Sequence, residues 1–429
     1  MKVTSELSVF KNIESEVRGY CRRFDTIFTS ASGSIMQDVD GQKYIDFLAA
    51  CGSLNYGHND PDMGAALVKH ITNNGIAAGL DLFSVVKHDF LNRFSHLILA
   101  SRNLDYRVQF TGPTGTNAVE AAMKLARKVT GRMNIIAFTN GFHGVSLGSL
   151  AATGNKYNRM STLLPGISRA PFEGYFGPGL NTADYLNQLL SDPSSGIDAP
   201  AAILLETVQG EGGLNVASSK WLQRIAAISR EYGALLIVDD VQAGCGRTGT
   251  FFSFEKMGIV PDMVVMSKSI SGFGLPMAIV LMKPEYDLWE PAQHNGTFRG
   301  NLHAFVTSHI ALEKFWSDST FSNSIYDKAS LVTAYLTQIT KLVPDSYLKG
   351  RGMMQGISVG SGDLADQICR LCFEMGLIIE TSGAFNEVIK VMAPLTTPFG
   401  ILKEGLDILY RATLKVMRKS ALPRIHPIH

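Results

Sequence analysis

A chain of 429 residues is long enough to bury a large core and to form two domains. Its formal net charge is +1 and 18% of its residues are charged, so it lacks the basic character that attracts nucleic acids or anionic membrane surfaces. We therefore expect neither nucleic acid nor a membrane as a partner, and a small molecule as the substrate.

The five cysteines are odd in number and give no disulfide framework, which is typical of the reducing cytoplasm. Cys369-Arg-Leu-Cys372 has the spacing of a redox or metal motif. It falls in a helical pattern without a second Cys/His cluster, so we interpret both as core cysteines and expect no metal site. The N-terminal residues lack the apolar core and cleavage site of a secretion signal, and no uncharged stretch is long enough to span a bilayer. These features predict a cytoplasmic protein.

The first predicted elements are an amphipathic helix with an extended lead-in, residues 5–28, and a hairpin, residues 33–47, with Asp40-Gly41 at its turn. The next loop, Cys51-Gly-Ser-Leu-Asn-Tyr-Gly-His-Asn-Asp-Pro61, holds more glycine, asparagine and proline than a plain connector needs, and it is a candidate wall of a site. His58 in that loop is left unassigned, because a single histidine in a turn is more often a hydrogen-bonded loop residue than a catalyst.

Gly112-Pro-Thr-Gly-Thr-Asn117 precedes a strongly helix-forming segment, residues 117–127. The N-terminus of a helix presents unpaired N–H groups and positive partial charge, so this loop can hold a phosphate on Gly115, Thr116 and Asn117. Glycine also commonly precedes a helix that binds no ligand, so the loop alone does not decide between a phosphate site and an ordinary helix start.

Helices and apolar strands alternate through the middle of the chain, as a mostly parallel sheet covered by helices on both faces requires. Helices are predicted at residues 61–99, with two interruptions, and 220–232, and strands at 107–110, 134–138, 201–206, 234–239, 261–266 and 277–282. We therefore expect an α/β protein whose large domain spans residues 61–315.

The pattern changes near residue 316 to that of a smaller α+β unit. A long helix is followed by strands at residues 347–359, 377–380 and 388–392 and by helices at 363–375 and 402–418. Residues 316–429 are predicted to form this small domain, to which residues 1–60 contribute. The tail, residues 423–429, is predicted to be disordered.

Two buried strands end in residues that can do chemistry. Ala234-Leu-Leu-Ile-Val-Asp-Asp240 ends in carboxylates, and Pro261-Asp-Met-Val-Val-Met-Ser-Lys-Ser-Ile270 delivers Lys268 into a Ser/Gly-rich loop. Ligands of parallel sheets bind beyond the carboxyl ends of the strands. A phosphate loop, an acid and a lysine in this order are the parts needed to hold pyridoxal phosphate. The alternatives are a solvated lysine past a strand end and a carboxylate that caps a neighbouring helix or loop.

In this interpretation Lys268 bonds the aldehyde of the cofactor, because a lysine in a partly buried site can lose its proton. Asp239 faces the pyridine nitrogen and keeps it protonated, so that the ring remains an electron sink. Val241 and Phe142 are candidates to pack against the two faces of the cofactor ring. Each is equally explained as an ordinary residue of the hydrophobic core.

Motifs spread over nearly the whole chain resemble those of class III, fold-type I pyridoxal-phosphate aminotransferases. They are Glu206-Thr-Val-Gln-Gly-Glu-Gly-Gly213, Val238-Asp-Asp-Val-Gln-Ala-Gly-Cys-Gly-Arg-Thr-Gly249, the loop of Lys268 and Gly296-Thr-Phe-Arg-Gly-Asn301. Within that class, the segments Gly79-Leu-Asp-Leu-Phe83 and Thr139-Asn-Gly-Phe-His-Gly144 are similar to those of diaminobutyrate–2-oxoglutarate transaminases. The fold that the resemblance implies has a large domain, with a mostly parallel sheet between helices, and a smaller α+β domain.

The resemblance implies further cofactor contacts. Gln242 would bond the 3-oxygen, Phe142 would stack on the ring, and His143 joins the cofactor-binding residues. Thr297 would reach the phosphate from the partner subunit. A homodimer, or a dimer of dimers, is therefore implied.

Glu211 matches a glutamate that pairs with an arginine in many relatives, and Lys390-Val-Met-Ala-Pro394 stands where those relatives carry the arginine. Glu211 and Lys390 are predicted to bind substrate, with Glu211 neutralising the cation while a terminal amine reacts and swinging away when glutamate binds. The alternatives are a structural loop acid and an exposed strand lysine. Asp240 stands where the wider class usually has glutamate.

The expected activity is reversible transfer of the terminal amine of L-2,4-diaminobutyrate to 2-oxoglutarate, giving L-aspartate 4-semialdehyde and L-glutamate. The resemblance connects this reaction with ectoine synthesis and with some siderophores and peptide antibiotics. Transfer from another terminal amine, an aminomutase or racemase on the same cofactor, and an inactive binding scaffold are the alternatives. Release of 2-oxoglutarate from glutamate alone separates a transaminase from a mutase.

Overall fold

A seven-stranded sheet with helices on both faces forms the larger part of the protein. The computed structural model describes residues 3–160 and 166–420. Its strands are β1 (Phe28–Ser32), β2 (Ile35–Asp38), β3 (Lys43–Asp46), β4 (Arg107–Phe110), β5 (Ile135–Phe138), β6 (Ile167–Ala170), β7 (Ala202–Leu205), β8 (Val208–Gln209), β9 (Asn215–Val216), β10 (Leu235–Asp239), β11 (Met263–Met266), β12 (Ile279–Met282), β13 (Tyr347–Arg351), β14 (Met354–Ser358), β15 (Leu377–Ile378), β16 (Glu380–Ser382) and β17 (Val388–Val391). Its helices are α1 (Val3–Ile13), α2 (Ala49–Gly52), α3 (Pro61–Thr72), α4 (Val85–Phe94), α5 (Gly115–Thr130), α6 (Leu147–Ala152), α7 (Lys156–Arg159), α8 (Thr182–Ser191), α9 (Ser219–Glu231), α10 (Leu302–Trp316), α11 (Thr320–Thr340), α12 (Gly362–Glu374) and α13 (Phe399–Ser420).

The large sheet is mostly parallel, as predicted. Its strand order is β4-β12-β11-β10-β7-β5-β6, and within it β12 runs antiparallel to both of its neighbours. Side chains alternate between two cores, since Leu236 and Val238 of β10 pack towards α9 whereas Leu235 and Ile237 pack towards α5. Both faces are therefore buried, which explains why the strands are apolar runs without polar alternation.

The order of the strands brings the predicted site together. β10 and β11 are parallel neighbours, with Asp239 opposite Val265 in the register. Lys268 follows three residues after Val265, so Asp239 and Lys268 emerge at the same edge of the sheet. This is the edge at which α/β proteins bind ligands.

The second unit contains the antiparallel sheet β13-β14-β17-β16. Apolar residues of α11, α12 and α13 cover it and form one core with Ile357, Ile389 and Val391 of the sheet. Cys369 and Cys372 lie in that core, and all five cysteines of the chain are free thiols.

The N-terminal strands join this second unit. β1, β2 and β3 form an antiparallel meander, and β3 then pairs in parallel with β15, with Ile45 opposite Leu377. Ile45 and Phe47 belong to the core of the C-terminal helices. This pairing supports the predicted contribution of residues 1–60 to the small domain, although the domain boundaries themselves stay a prediction.

Several elements do not follow the sequence pattern. The sequence did not predict α8, α10 or β6. Most residues of α10 are buried, Phe305 and Leu312 among them, so this helix lacks the one polar face that identifies a surface helix. The predicted disorder of residues 423–429 lies outside the described residues. No helix in the described ranges is long and apolar enough to cross a membrane.

Candidate active site

Lys268 begins a short 3-10 turn directly after β11 and has a left-handed backbone, with φ of +54°. A non-glycine residue in this region is strained, and it persists only where the surroundings hold it. The two serines that flank Lys268 hold its backbone through hydrogen bonds to other segments. Ser267 Oγ donates to the Met277 carbonyl at 2.9 Å, and Ser269 Oγ donates to the Gly52 carbonyl at 2.7 Å. The Lys268 side chain makes no hydrogen bond or ion pair with any other described residue.

Asp239 is held at both carboxylate oxygens. Oδ1 accepts from the Val241 amide at 3.2 Å, and Oδ2 accepts from His143 Nδ1 at 2.7 Å. A carboxylate can only accept, so His143 carries its proton on Nδ1. Burial opposes the charged imidazole, but the hydrogen bond to Asp239 and the charges of Asp239 and Glu206 together outweigh burial and raise the pKa of His143. The contact fixes the orientation of the carboxylate at the end of β10.

The N-terminus of α5 lies where the sequence predicted a phosphate site, and the helix begins at Gly115. A Cβ on Gly115 would lie 3.1 Å from Val241 Cγ1, so a larger residue there would crowd the Val241 side chain. The hydroxyl of Thr116 bonds Ser146 Oγ at 2.6 Å. Asn117 does not face this site, because two of its polar groups are used within the turn. Its backbone N–H donates to the Thr114 carbonyl at 3.1 Å, and its side-chain Oδ1 accepts from the Thr114 hydroxyl at 2.8 Å.

An inner cavity of about 160 Å³ joins these elements. Most of the predicted cofactor and substrate residues line it, whereas Asn117, Thr297 and Lys390 do not. The lining consists of Gly115, Thr116, Phe142, His143, Gly144, Glu206, Glu211, Asp239, Val241, Gln242, Ser267 and Lys268.

A larger cavity of about 640 Å³ adjoins the inner one and shares Phe142, Glu211 and Lys268 with it. Tyr20 and Cys51 line it from the N-terminal segment. It is wide enough for a substrate, and Lys268 lies where the two cavities meet. The residues 51–61, predicted as a site wall, therefore contribute at least Cys51.

Cys51 is placed by an unusual backbone. Ala49, Ala50 and Cys51 have φ between +46° and +56°, so α2 is a single left-handed turn. Each such residue costs about 1–2 kcal/mol. Contacts from the lysine loop and from Gln242 hold the turn, since Gln242 Nε2 donates to the Cys51 carbonyl at 3.1 Å.

Glu211 and Lys390, which the sequence paired, are in contact. Lys390 Nζ lies 2.9 Å from Glu211 Oε1 and 2.9 Å from Glu380 Oε1, and its side chain is completely buried. The alternative of an exposed strand lysine is therefore wrong. Burial alone would lower the pKa of Lys390, yet Glu211 and Glu380 hold it well above its usual value. Burial alone would raise the pKa of Glu211, but Lys390 and then Lys268 lower it to about 2.

Gln242 shares its amide nitrogen between the Cys51 carbonyl and Glu211 Oε1, the latter at 3.1 Å. Its Oε1 is buried and has no hydrogen-bond partner among the described residues. The bond to a cofactor oxygen that the resemblance implies stays a prediction.

Thr297 lies apart from both cavities. It lines a separate pocket of about 350 Å³ with Gly79, Pro113 and Phe298. In this chain Thr297 therefore does not reach the cavity of its own Lys268.

Sequence reasoning missed Glu206 and Glu380. Glu206 holds the loop of Phe142, since its carboxylate accepts from the Phe142 amide at 2.9 Å and the Gly210 amide at 3.1 Å, and burial raises its pKa to about 7. Its place at the end of β7, the same sheet edge as Asp239, is a usable signal. Glu380 carries no local signal, because its role depends on a strand partner ten residues away.

Comparison with known proteins gives a consistent result. The family model described as "Aminotransferase class-III" matches residues 20–413. A diaminobutyrate–2-oxoglutarate transaminase of Vibrio cholerae is 54% identical over 95% of this chain and 100% of the relative, and one of Halomonas elongata is 51% identical over 95% and 99%. Among solved structures, an ornithine aminotransferase from Toxoplasma gondii matches with a TM-score of 0.83 at 22% identity, covering 98% of this chain and 96% of its own. A transaminase from Virgibacillus has a TM-score of 0.85 at 19% identity, covering 97% and 100%. At these identities the solved structures establish the fold.

Proposed function

The chain belongs to the class III aminotransferases, and on this premise we propose that it transfers the terminal amine of L-2,4-diaminobutyrate to 2-oxoglutarate. The products are L-aspartate 4-semialdehyde and L-glutamate, and the reaction is reversible. The observation that carries this proposal is the 54% identity, over the full length of the relative, to a transaminase named for these substrates. Run towards diaminobutyrate, the reaction would supply ectoine synthesis, as the sequence resemblance implies.

Pyridoxal phosphate is the cofactor of this enzyme family. The residues around the inner cavity fit it, because a helix N-terminus, a fixed carboxylate and a lysine whose side chain has no hydrogen bond within the described residues all line that cavity. Gly115 and Thr116, at the N-terminus of α5, would hold the phosphate through backbone N–H groups and the Thr116 hydroxyl. When bound, the cofactor supplies an aldehyde that takes up the amino group and a ring that withdraws electrons from the neighbouring carbon.

Lys268 carries two roles in this mechanism. Its amine would hold the cofactor while no substrate is bound, and during turnover its Nζ would move a proton on the substrate carbon. The absence of a hydrogen bond to its side chain within the described residues leaves the amine available for both.

Asp239 would hold a proton at the ring nitrogen of the cofactor. The contacts from His143 and Val241 hold its carboxylate in one orientation for this role. Val241 and Phe142, which line the same cavity, would enclose the ring and exclude water, which would strengthen the effect of the carboxylate.

The smallest active unit is a homodimer in this proposal. Thr297 lies on a segment whose Phe298 is 77% exposed, and the ion pair of Arg299 with Asp81 joins it to a segment whose Phe83 is fully exposed. Such a cluster of exposed aromatic side chains is typical of an interface. A partner subunit would cover it and receive Thr297 at its phosphate site. The five free cysteines support a cytoplasmic location.

Two measurements test the function. Incubation with glutamate alone should release 2-oxoglutarate in an amount equal to the enzyme sites and change the cofactor's absorption, whereas a mutase or racemase retains the amino group. In a panel of ornithine, acetylornithine, 4-aminobutyrate and diaminobutyrate, the last should be preferred. A clear preference for any of the first three would overturn the substrate assignment.

A further inference from the structure

Glu380 is the second carboxylate on Lys390, and the fold places it there. Glu380 lies directly opposite Lys390 in the antiparallel pair of β16 and β17. The side chain of Glu380 is 4% exposed and that of Lys390 is 0% exposed, whereas that of Glu211 is 32% exposed. Glu380 is therefore a permanent partner of the lysine, and Glu211 is the partner that faces the cavities.

The charges of this cluster do not cancel. Lys390 is the cation of the cluster, and Glu211 and Glu380 are its two carboxyl groups; burial raises the pKa of Glu380, and Lys390 opposes that rise. Because Glu380 neutralises Lys390 inside the protein, the remaining negative charge belongs to Glu211, on which Lys268 acts from a distance without forming an ion pair within the described residues. The sequence suggested that departure of Glu211 would free Lys390 as a cation, and the second carboxylate changes that expectation.

Glu211 presents one oxygen to the cavities. Both of its hydrogen bonds, from Lys390 Nζ at 2.9 Å and from Gln242 Nε2 at 3.1 Å, end at Oε1. Oε2 makes no hydrogen bond within the described part of the chain. Glu211 lines both the inner and the outer cavity. Its Oε2 is consequently available to a positively charged group of a substrate.

We propose that Glu380 is a positioning residue for substrate choice, which neutralises Lys390 so that Glu211 Oε2 binds the second ammonium group of a diamine donor. This inference rests on the proposed function. L-2,4-Diaminobutyrate keeps its 2-ammonium group when the terminal amine reacts, whereas 4-aminobutyrate has no such group. The cluster thus distinguishes two donors that are otherwise alike at the reacting end.

Other charged groups near Glu380 leave this balance in place. Cys51 Sγ lies 3.9 Å from Glu380 Oε1 and 2.6 Å from the Tyr20 hydroxyl. Arg23 acts on Glu380 from the N-terminal segment, but its Nη1 donates to Thr381 Oγ1 at 2.8 Å. Lys390 is the group that contacts both carboxylates.

The test compares kcat/KM for diaminobutyrate and 4-aminobutyrate at pH 8. Glu380→Gln leaves Lys390 to neutralise Glu211, so the preference for diaminobutyrate should fall about tenfold, the effect of one partly screened charge contact. The double variant Glu380→Gln, Lys390→Met returns the cluster to one negative charge and should regain most of the preference. The matched control is Glu374→Gln, an exposed glutamate at the end of α12.

If Glu380 had only a structural role, the double variant should lose more of the preference for diaminobutyrate than Glu380→Gln does. Two buried substitutions should harm the site more than one. An unchanged preference in Glu380→Gln, or a double variant as unselective as the single one, would overturn the inference. If the single variant does not fold, the double variant decides alone, since it leaves no unpaired buried charge beside Glu211. A wild-type enzyme without preference for diaminobutyrate would overturn the proposed function instead.

A second readout needs no turnover. Burial and then Glu380 raise the pKa of the Cys51 thiol to about 11, whereas Lys390 lowers it. Alkylation of Cys51 by iodoacetamide, in a Cys21→Ser background, should therefore reach its half-maximal rate at lower pH in Glu380→Gln and return upward in the double variant. Identical profiles in all three proteins would contradict the charge relation on which the inference depends.

Discussion

His143 donates from Nδ1 to Asp239 Oδ2 at 2.7 Å, and both residues are at least 95% buried. In a buried site, a hydrogen bond between charged groups stabilises both charges. Asp239 is therefore held in one orientation at the inner cavity by a partner on the loop of Phe142. The loop after β5 and the end of β10 act as one unit.

The first prediction concerns this carboxylate. Asp239→Asn should still bind the cofactor, because the amide keeps the shape and can accept from Val241. Turnover should fall about 10²- to 10⁴-fold, since a neutral side chain no longer holds a proton at the ring nitrogen. The matched control is Asp240→Asn, a buried carboxylate that does not line the cavity. Wild-type kcat in Asp239→Asn, with cofactor content verified by absorption, would remove Asp239 from the mechanism.

The second prediction is that Lys268 is the lysine that binds the cofactor. Borohydride reduction followed by peptide mapping should place the pyridoxyl group on Lys268, and Lys268→Ala should abolish both labelling and turnover. Lys390 is an internal control, because two carboxylates hold its amine and it should stay unlabelled. Label on another lysine would refute the assignment.

Much of the fold follows from local pattern. The strands that end at Asp239 and Met266 were predicted to their final residues, because a strand buried on both faces is an apolar run that stops at the sheet edge. Parallel strands end at one edge, so the proximity of Asp239 and Lys268 also follows. The helix α10 did not follow, because its burial on most sides leaves no helical alternation in the sequence.

The site was less predictable where it depends on side chains from distant segments. The family resemblance paired Glu211 with Lys390. The contact of Glu380 with Lys390 could be identified only from the register of β16 and β17. The left-handed turn that places Cys51 likewise has no signal in the local sequence, because alanine and cysteine rarely adopt positive φ. Its geometry is imposed by contacts with the lysine loop and Gln242.

The third prediction is that Thr297 acts across a dimer interface. Thr297→Val should weaken cofactor binding about tenfold or more, since it removes one hydrogen bond to a charged phosphate. When equal amounts of Thr297→Val and Lys268→Ala subunits are mixed and exchanged, about one quarter of the sites should be intact, because half of the dimers are mixed and each has one complete site. Activity is measured at a cofactor concentration that saturates only intact sites.

A Thr297 that serves its own subunit gives a different outcome. Every site in the mixed dimers would then carry one of the two defects. No recovery after verified subunit exchange would therefore contradict the shared site. The double variant Lys268→Ala, Thr297→Val, mixed with Lys268→Ala, is the control that should stay inactive in either case.

The fourth prediction uses Asp240, which is 1% exposed. Its Oδ2 accepts from the Ser253 amide at 3.1 Å, and its Oδ1 has no hydrogen-bond partner among the described residues. Burial raises the pKa of Asp240 to about 7, against about 3.9 for an aspartate in an unfolded chain. The folded protein therefore binds this proton more tightly than the unfolded chain does.

The sign of the pH dependence follows from that difference. The stabilisation is fully present below about pH 4 and is lost as the pH rises towards about 7, where the buried carboxylate must become charged. Asp240→Asn stays neutral throughout, so its free energy of unfolding relative to wild type should increase between pH 4 and pH 8, by at most on the order of 4 kcal/mol. Urea unfolding of both proteins at pH 5, 6, 7 and 8 measures this difference, and the contribution of Glu206, which titrates in the same range, cancels because both proteins contain it. A difference that is constant or shrinks with rising pH would show that Asp240 is charged in the folded protein at all these pH values.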